Sequence, residues 1–212
     1  MNVRLQWATP DIDKQIMYMA RVSNPAKHNS ENVRLLHYCM EHGHVSPFEM
    51  ASACMEIDTT RDIGRQILRH RSFSFQEFSQ RYENVEKLGD WDRRETRMQD
   101  KTNRQNSLPC DDDDLAEFWG GLQEFVAGAA IDSYRAALAA GVAKEQARAL
   151  LPEGLTPSRL YMSGNMRSWI FYLKQRLDPT TQKEHREIAD AVLRELRAVA
   201  PITMQAFFPE DL

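Results

Sequence analysis

The sequence predicts an α+β fold in a single domain over residues 1–212, and three observations carry this prediction. The chain has 212 residues, of which 42% are hydrophobic and 27% charged, as is usual for a globular domain with one core. Apolar residues recur at helical spacing in both halves of the chain. One segment, residues 51–58, alternates apolar and polar residues as a strand does.

The first third of the chain predicts helical segments on the N-terminal side of that strand. Residues 30–42 carry apolar residues at helical spacing, and Gly43 follows where a helix commonly ends. Residues 46–49, SPFE, have the form of a capping box with Ser46 as the N-cap of a short helical turn. The strand itself is expected to be half-buried, with a polar face formed by Ser52, Cys54, Glu56 and Asp58.

A helix over residues 60–71 and a long polar segment are predicted next. The helix has an apolar face and, on another face, arginines four residues apart. The apolar residues are Ile63, Ile67 and Leu68, and the arginines are Arg61, Arg65 and Arg69. Residues 83–109 are rich in charge, so we expect them to form a surface excursion that is partly helical.

The second half of the chain predicts a series of helices. Aspartates at 111–114 favour a helix N-terminus, and a long helix should run to about residue 140, closed by Gly141. Its expected inward face consists of Leu115, Phe118, Leu122, Phe125 and Ala129. A second helix is expected to end before Pro152, and another should cover roughly residues 181–199.

Composition argues against several functional classes. The formal net charge of -4 gives no overall attraction to a nucleic acid polymer, and no apolar run approaches the length of a membrane span. The N-terminus lacks the pattern of a secretory signal, so we expect a cytoplasmic protein. Cys39, Cys54 and Cys110 have no paired spacing and should be thiols. The histidines of residues 37–44 match no familiar zinc spacing, so no metal is expected.

The most informative segment is RHRSFSFQEFSQRY at residues 69–82. Arg69, His70 and Arg71 are consecutive, so their side chains point in different directions and can converge only on a large ligand or several ligands. Arginine suits phosphates and flat rings, and Arg81 adds another. We expect an irregular segment that lines a pocket for an anionic, planar ligand. A solvated basic helix end over a phenylalanine-rich core is one alternative, and nucleic-acid binding is another.

A second candidate segment lies near the C-terminal end. Asn165 and Arg176 are eleven residues apart and share a helix face, whereas Arg167 points nearly opposite. If the helix begins near Asn165, its first turn has free backbone N–H groups that favour anions. A capping asparagine and a surface arginine without any ligand would explain the same residues.

These segments resemble the flavin-dependent thymidylate synthase family. The family signature is Arg-His-Arg, seven residues, Ser, one residue and Arg, and residues 69–81 match every fixed position. The segments RQILRHR, HVSPFEM, QARALLP and NMRSWIFYLKQR resemble other family segments in the same order. The resemblance covers about residues 15–200, with a loose match at 83–109. It implies helices around a small, mainly antiparallel sheet, in a homotetramer whose sites form between subunits.

The resemblance also implies a reaction and its residues. Such enzymes methylate dUMP to dTMP with carbon from methylenetetrahydrofolate and a hydride from FAD that NADPH has reduced. FAD contacts are implied for Ser46, Arg69, His70, Arg71, Glu77, Asn165 and Arg167. Contacts to dUMP are implied for Gln66, Arg69, Glu77, Ser79, Gln80, Arg81, Arg148 and Arg176. The rival interpretation is a flavin- or nucleotide-binding protein without turnover.

Arg176 is the residue that we expect to activate the substrate. Carbon 5 of uracil becomes nucleophilic as negative charge grows on the N3/O4 edge, and a fixed guanidinium stabilises that charge. Ser79 is expected to bind dUMP rather than attack it, because the sequence shows no activating base near it. The chain departs from common family residues at Phe171, a flavin-contact position, and at Thr180 and Lys183 in an Ala-Gln-Trp-Glu-like segment.

Overall fold

The structure is a computed structural model that describes residues 1–30 and 32–209. The strands are β1 (Asn2–Ala8), β2 (Ser52–Thr60), β3 (Ser74–Glu77), β4 (Arg97–Gln99), β5 (Ser107–Pro109) and β6 (Pro157–Asn165). The α-helices are α1 (Ile12–Ala20), α2 (Arg34–Glu41), α3 (Arg61–Ile67), α4 (Asp113–Ala139), α5 (Lys144–Ala147), α6 (Met166–Arg176), α7 (Lys183–Val199) and α8 (Pro201–Phe207). Short 3-10 helices cover Pro25–Lys27, Ser46–Met50, Val85–Leu88 and Arg148–Leu150.

An antiparallel sheet in the order β1-β2-β6-β3 organises the fold. Each neighbouring pair in it is antiparallel, and Ser52 at the start of β2 lies opposite Asn165 at the end of β6. Strands β4 and β5 form a separate antiparallel hairpin. The predicted α+β class and the antiparallel sheet are therefore confirmed.

The main core lies between this sheet and the helices that follow β6. Met55 and Leu160 of the sheet are fully buried together with Trp169 of α6 and Val192 of α7. The indole Nε1 of Trp169 donates a hydrogen bond of 3.2 Å to the Ala53 carbonyl, which fixes α6 on the sheet. Within the described residues, no helix is both long and apolar enough to cross a membrane.

Strand β2 is more buried than its alternation predicts. Cys54 and Glu56 were expected on a polar outer face, but each is only 7% exposed. The side chains of Arg4 and Tyr161 from the flanking strands cover Glu56 and donate hydrogen bonds to it. Burial alone would raise the pKa of Glu56, but these hydrogen bonds and the charge of Arg159 lower it below its ordinary value.

The predicted capping box at 46–49 is wrong. The segment is a 3-10 turn whose N-cap is Val45, and no side chain caps it. Glu49 instead forms an ion pair with Arg167, the second residue of α6. A long-range partner has replaced the local bond, because the turn packs against the helix that follows β6.

The charged excursion consists of a short 3-10 helix, Val85–Leu88, and the hairpin of β4 and β5, so the expected helical part is limited to one 3-10 turn. Asp100 turns the chain between β4 and β5: its carboxylate accepts hydrogen bonds from Thr102 N, Thr102 Oγ1, Asn103 N and Asn106 Nδ2. These bonds lower the pKa of Asp100 below its ordinary value. A short polar side chain that bonds nearby backbone groups favours a turn over a helix.

The long helix is confirmed, but the face predicted to point inward is largely exposed in the single chain. Helix α4 buries Gln123, Ala127 and Tyr134. Phe118, Leu122 and Phe125 are exposed at 63%, 43% and 75%. The spacing identified a genuine apolar stripe, but nothing within the described residues covers most of it.

Candidate functional site

Helix α3 separates two surface clefts that hold most of the candidate residues. Gln66, near the C-terminal end of α3, and Arg69, two residues beyond that end, line one cleft of about 560 Å³, here called the Arg176 cleft. Arg61 and Arg65, nearer its N-terminus, line the other of about 390 Å³, here called the Arg148 cleft. Helix α3 follows β2 directly and ends just before the Arg-His-Arg motif, so the helix lines the Arg148 cleft with Arg61 and Arg65, and the motif after it places Arg69 in the Arg176 cleft.

The Arg176 cleft brings together residues that lie more than a hundred positions apart. Arg176 is the last residue of α6, and its Nε donates a hydrogen bond of 3.0 Å to His70 Nε2. The lining carries three cationic side chains, Arg69, Lys174 and Arg176, and one carboxylate, Asp178. That carboxylate accepts hydrogen bonds from Thr180 N and Oγ1, so the cleft favours an anion.

His70 is held in its neutral form. Burial, and to a lesser extent the positive charge of Arg176, lower its pKa to about 4. The Tyr172 ring packs edge-on against it at 5.0 Å between centroids. A neutral imidazole offers a lone pair on Nε2, which the Arg176 Nε–H uses, so the two Nη groups of the guanidinium are left for other partners.

The Arg148 cleft contains a buried polar group without a partner. Gln80 is only 4% exposed, and no atom of the described residues hydrogen-bonds its Nε2. Arg61, Arg65 and Arg148 line the same cleft. An unpartnered buried N–H group beside three guanidinium groups suits an anionic ligand atom.

Glu77 lies beside the Arg148 cleft, next to Arg61. Its Oε1 accepts a hydrogen bond of 2.9 Å from Ser158 Oγ of β6 and lies 3.7 Å from Arg61 Nη1. Glu77 ends β3, beside the central strand, so its carboxylate has a defined position. Gly64 of α3 packs beside it, and a Cβ there would be in ordinary van der Waals contact with Glu77 Oε1 at 3.5 Å.

The remaining predicted contacts lie on other surfaces of the chain. Asn165 is the N-cap of α6, and its side chain accepts a hydrogen bond from Ser168 N. Arg167 pairs with Glu49 and lies 5.7 Å from the centre of the Phe171 ring. Ser46 lines a separate groove of about 550 Å³ between α2 and the 3-10 turn.

The two remaining arginines of the signature are exposed. Arg71 is exposed, and Arg81 lies 3.4 Å from the carboxylate of Glu145, with more than half of its side chain in solvent. The carbonyl of Ser79 accepts hydrogen bonds from Tyr82 N and Glu83 N, which forms a turn after β3. One chain therefore distributes the predicted residues over two clefts, a groove and an exposed turn.

Comparison with known proteins identifies the family. A family model described as thymidylate synthase complementing protein matches residues 4–202. A flavin-dependent thymidylate synthase from Synechocystis sp. is 49% identical over 82% of this chain and 79% of its own length. This chain belongs to the flavin-dependent thymidylate synthase family. A probable flavin-dependent thymidylate synthase from Paramecium bursaria Chlorella virus 1 is 44% identical over 84% of this chain and 82% of its own length.

A solved structure shares the fold as well. The UMP/dUMP methylase PolB from Streptomyces cacaoi, bound with 5-Br dUMP, matches this family member with a TM-score of 0.83. The two are 25% identical, and the match covers 97% of this chain and 93% of PolB. The α+β architecture is thus that of an enzyme family.

Sequence reasoning missed several residues that line the clefts. Lys174 and Gln105 border the Arg176 cleft, and Arg61 and Arg65 border the Arg148 cleft. The arginine stripe of α3 was visible in the sequence, but its spacing did not show that a cleft lies against it. Gln105 has no such signal, because it lies in the hairpin between β4 and β5, where no periodic pattern exists.

Proposed function

We propose that this chain catalyses the reductive methylation of dUMP to dTMP, with FAD as cofactor and methylenetetrahydrofolate and NADPH as co-substrates. The observation that carries the proposal is the Arg176 cleft, where Arg69, Arg176 and a neutral His70 meet. Guanidinium groups bind phosphates in a bidentate way and stack on flat rings, so the cleft suits a nucleotide. The substrate class of PolB, which shares the fold, supports the same conclusion.

Residues from both clefts are assigned to dUMP. Gln66, Arg69 and Arg176 belong to the Arg176 cleft, and Gln80 and Arg148 to the Arg148 cleft. The unpartnered Nε2 of Gln80 would gain an acceptor from a phosphate oxygen, which favours a phosphate there. Three further residues complete the proposed set, namely Glu77, Ser79 and Arg81.

The residues assigned to FAD fit a large ligand with a pyrophosphate and a flat ring system. The exposed guanidinium of Arg71 is available to a phosphate, and that of Arg167 forms a flat surface over Phe171. Ser46, Arg69, His70, Glu77 and Asn165 complete the proposed set. Bound FAD would supply the hydride that completes the methyl group.

Arg176 would activate the uracil ring by electrostatics. Its Nε is held by His70, so the guanidinium has a fixed orientation before the substrate arrives. Burial lowers the pKa of Arg176, because few water molecules reach its charge. A fixed cation in such a place stabilises the negative charge that grows on the N3/O4 edge, a contribution of about 3 kcal/mol for one preorganised donor.

We further propose that the enzyme is a homotetramer with sites between subunits. The proposed dUMP and FAD residues of one chain lie on several separate surfaces, so residues of a second copy would complete each site. The exposed apolar stripe of α4 supports this assembly, since Phe118, Leu122 and Phe125 lack cover within the chain. Three glycines of α4, Gly120, Gly121 and Gly128, leave open space for a close neighbour.

Replacement of Phe125 by glutamate is expected to break the assembly. Each buried Phe125 should contribute about 2 kcal/mol or more to association, and a charge in its place would also have to be desolvated. Size-exclusion chromatography with light scattering should then show smaller species than the wild-type tetramer. The Ala116→Glu variant alters an exposed residue on the opposite side of the same helix and should stay tetrameric. Equal masses for all three proteins would show that the stripe is not an interface.

The visible absorption spectrum of the purified protein tests the catalytic proposal. Protein incubated with FAD should show an oxidised flavin spectrum that NADPH bleaches anaerobically, faster when dUMP is present. Addition of methylenetetrahydrofolate should then give dTMP, detected by chromatography. Absence of bound flavin after incubation with excess FAD would overturn the proposal. Flavin reduction without any dTMP would favour the rival, a flavin-binding protein without turnover.

A further inference from the structure

Residues 180–182 border the Arg176 cleft but have no assigned role in the proposed reaction. Thr180, Thr181 and Gln182 line the cleft, and Gln182 is the N-cap residue of α7. Lys183 begins that helix, and Glu184 and His185 follow it in the first turn. This segment therefore connects the wall of the cleft to the interior of the fold.

Four side chains in this region form a continuous hydrogen-bonded chain. Gln182 Nε2 donates to Glu184 Oε2 over 2.9 Å. Gln66 Nε2 donates to Gln182 Oε1 over 2.7 Å. The ring nitrogen Nδ1 of His185 lies 3.2 Å from Gln66 Oε1. A residue assigned to dUMP, Gln66, is thus held on both sides of its amide group.

The chemistry of the groups sets the direction of every bond in this chain. An ionised carboxylate can only accept hydrogen bonds, so Gln182 must present its NH2 group to Glu184 and its oxygen to Gln66. Gln66 must then present its NH2 group to Gln182 and its oxygen to His185. An amide oxygen can only accept, so the proton of His185 must be on Nδ1.

An arginine of the charged excursion holds the carboxylate end of the chain. Arg94 Nη1 lies 3.4 Å from Glu184 Oε2, and the two side chains are 13% and 12% exposed. Arg94 Nη2 also donates to Thr60 Oγ1 over 2.6 Å and to Asp62 Oδ1 over 2.7 Å. The ion pair holds the Glu184 carboxylate in place, so its oxygens face Gln182 as acceptors.

The histidine end of the chain is neutral and buried. His185 has no exposed surface, and its pKa falls to about 3, first because of burial and then because of the positive charge of Arg176 and the neighbouring His70 ring. A neutral imidazole has one N–H group, and the hydrogen bond to Gln66 places it on Nδ1. The bare Nε2 has no hydrogen-bond partner among the described residues, which agrees with this tautomer.

We propose that Glu184 and His185 are positioning residues that fix the side-chain amide of Gln66 for nucleotide binding. The identity of the nucleotide rests on the proposed function, whereas the direction of the chain rests on hydrogen-bond chemistry alone. With its oxygen held by His185 and one N–H held by Gln182, Gln66 keeps one N–H in a single orientation for a ligand. A free glutamine would present its N–H group and its oxygen interchangeably.

The tautomer of His185 is a direct test that needs no nucleotide. Protein labelled with 15N-histidine should show His185 as a neutral ring protonated on Nδ1 at pH 7 to 8. The signal can be assigned by its loss in the His185→Asn variant. A ring protonated on Nε2, or on both nitrogens, would overturn the proposal.

Binding of dUMP to the FAD-loaded enzyme, measured by calorimetry, tests the consequence. His185→Leu removes the donor and should weaken dUMP binding about tenfold, as loss of one hydrogen bond does. His185→Asn keeps an amide N–H near the Nδ1 position and should stay within about twofold of wild type. In steady state, His185→Leu should raise KM for dUMP and leave kcat within about twofold, because Gln66 takes no part in the chemistry.

A variant at the exposed residue Gln182 tests the proposal even if His185→Leu does not fold. Gln182 is exposed, so Gln182→Leu should fold normally and weaken dUMP binding about fivefold. The matched control is Glu187→Gln, an exposed change one turn further along α7, which should leave dUMP affinity unchanged. Wild-type affinity in Gln182→Leu would overturn the proposal, even if His185→Leu fails to fold. Failure of the wild-type enzyme to bind dUMP would instead contradict the proposed function. The tautomer of His185 would then still test the hydrogen-bonded chain by itself.

Discussion

Replacement of Arg176 by alanine is expected to lower kcat for methylation about 10²- to 10³-fold while FAD still binds. The variant removes the fixed positive charge proposed to act on the uracil ring, and loss of one preorganised donor has an effect of this size. Most residues assigned to FAD lie on other elements, so the flavin spectrum should remain. Single-turnover formation of dTMP under anaerobic conditions measures the effect.

Lys174→Ala is the matched control for that variant. Lys174 lies on the same helix and lines the same cleft, so its removal takes away a comparable charge but no group aimed at the ring. It should reduce kcat by less than about tenfold, within the range of an exposed charge. Equal losses in the two variants would show that the cleft needs only positive charge and that Arg176 has no specific role.

The Arg176→Ala variant should also change the pKa of His70. The positive charge of Arg176 contributes to the low pKa of His70, after burial, so its removal should raise that pKa from about 4 toward the ordinary value of about 6.5. A group with a depressed pKa becomes charged only when the pH falls through it, and protonation of His70 should therefore begin at higher pH in the variant. Titration by NMR of the histidine ring can measure this shift.

Local sequence patterns predicted where helices form better than they predicted which segments pack against each other. The spacing of α4 and α7 was sufficient, because each has an apolar face that repeats with the helical period. Strands β1 and β6 were missed, since their pairing partners in β2 lie far away in sequence and each strand is only nine residues or fewer. The apolar stripe of α4 shows the same limit: periodicity identifies a face that needs cover but not what covers it.

The candidate site was also predictable only in part, because the sequence shows local motifs but not contacts between distant segments. The signature at 69–81 named Arg69 and His70, and the family resemblance added Arg176, but neither showed that Arg176 Nε bonds His70 Nε2. Arg94 and Glu184 carried no signal, because an ion pair between distant segments leaves no local pattern. Long-range hydrogen bonds and ion pairs therefore account for what the sequence could not reveal.

Gly164 is expected to be the position where the smallest change has the largest structural effect. A Cβ atom built on this β6 residue would lie 2.7 Å from Phe73 Cε1, well inside van der Waals contact. Phe73 is 9% exposed and packs at 4.7 Å against Trp169, so it cannot move aside freely. Its backbone N–H donates to the His70 carbonyl, which ties it to the Arg-His-Arg motif.

Gly164→Ala should therefore destabilise the protein by about 1–3 kcal/mol, the usual cost of overpacking, and also lower the amount of FAD bound. A fall in Tm of about 3–10 °C corresponds to that range for a chain of this length. Gly154→Ala is the control, because a Cβ there meets open space, and it should change stability by less than about 0.5 kcal/mol. The cause can be isolated with Phe73→Ala: in that background the clash is gone, so adding Gly164→Ala should cost almost nothing more. Additive losses in the double variant would mean that the glycine is needed for a reason other than the approach of Phe73.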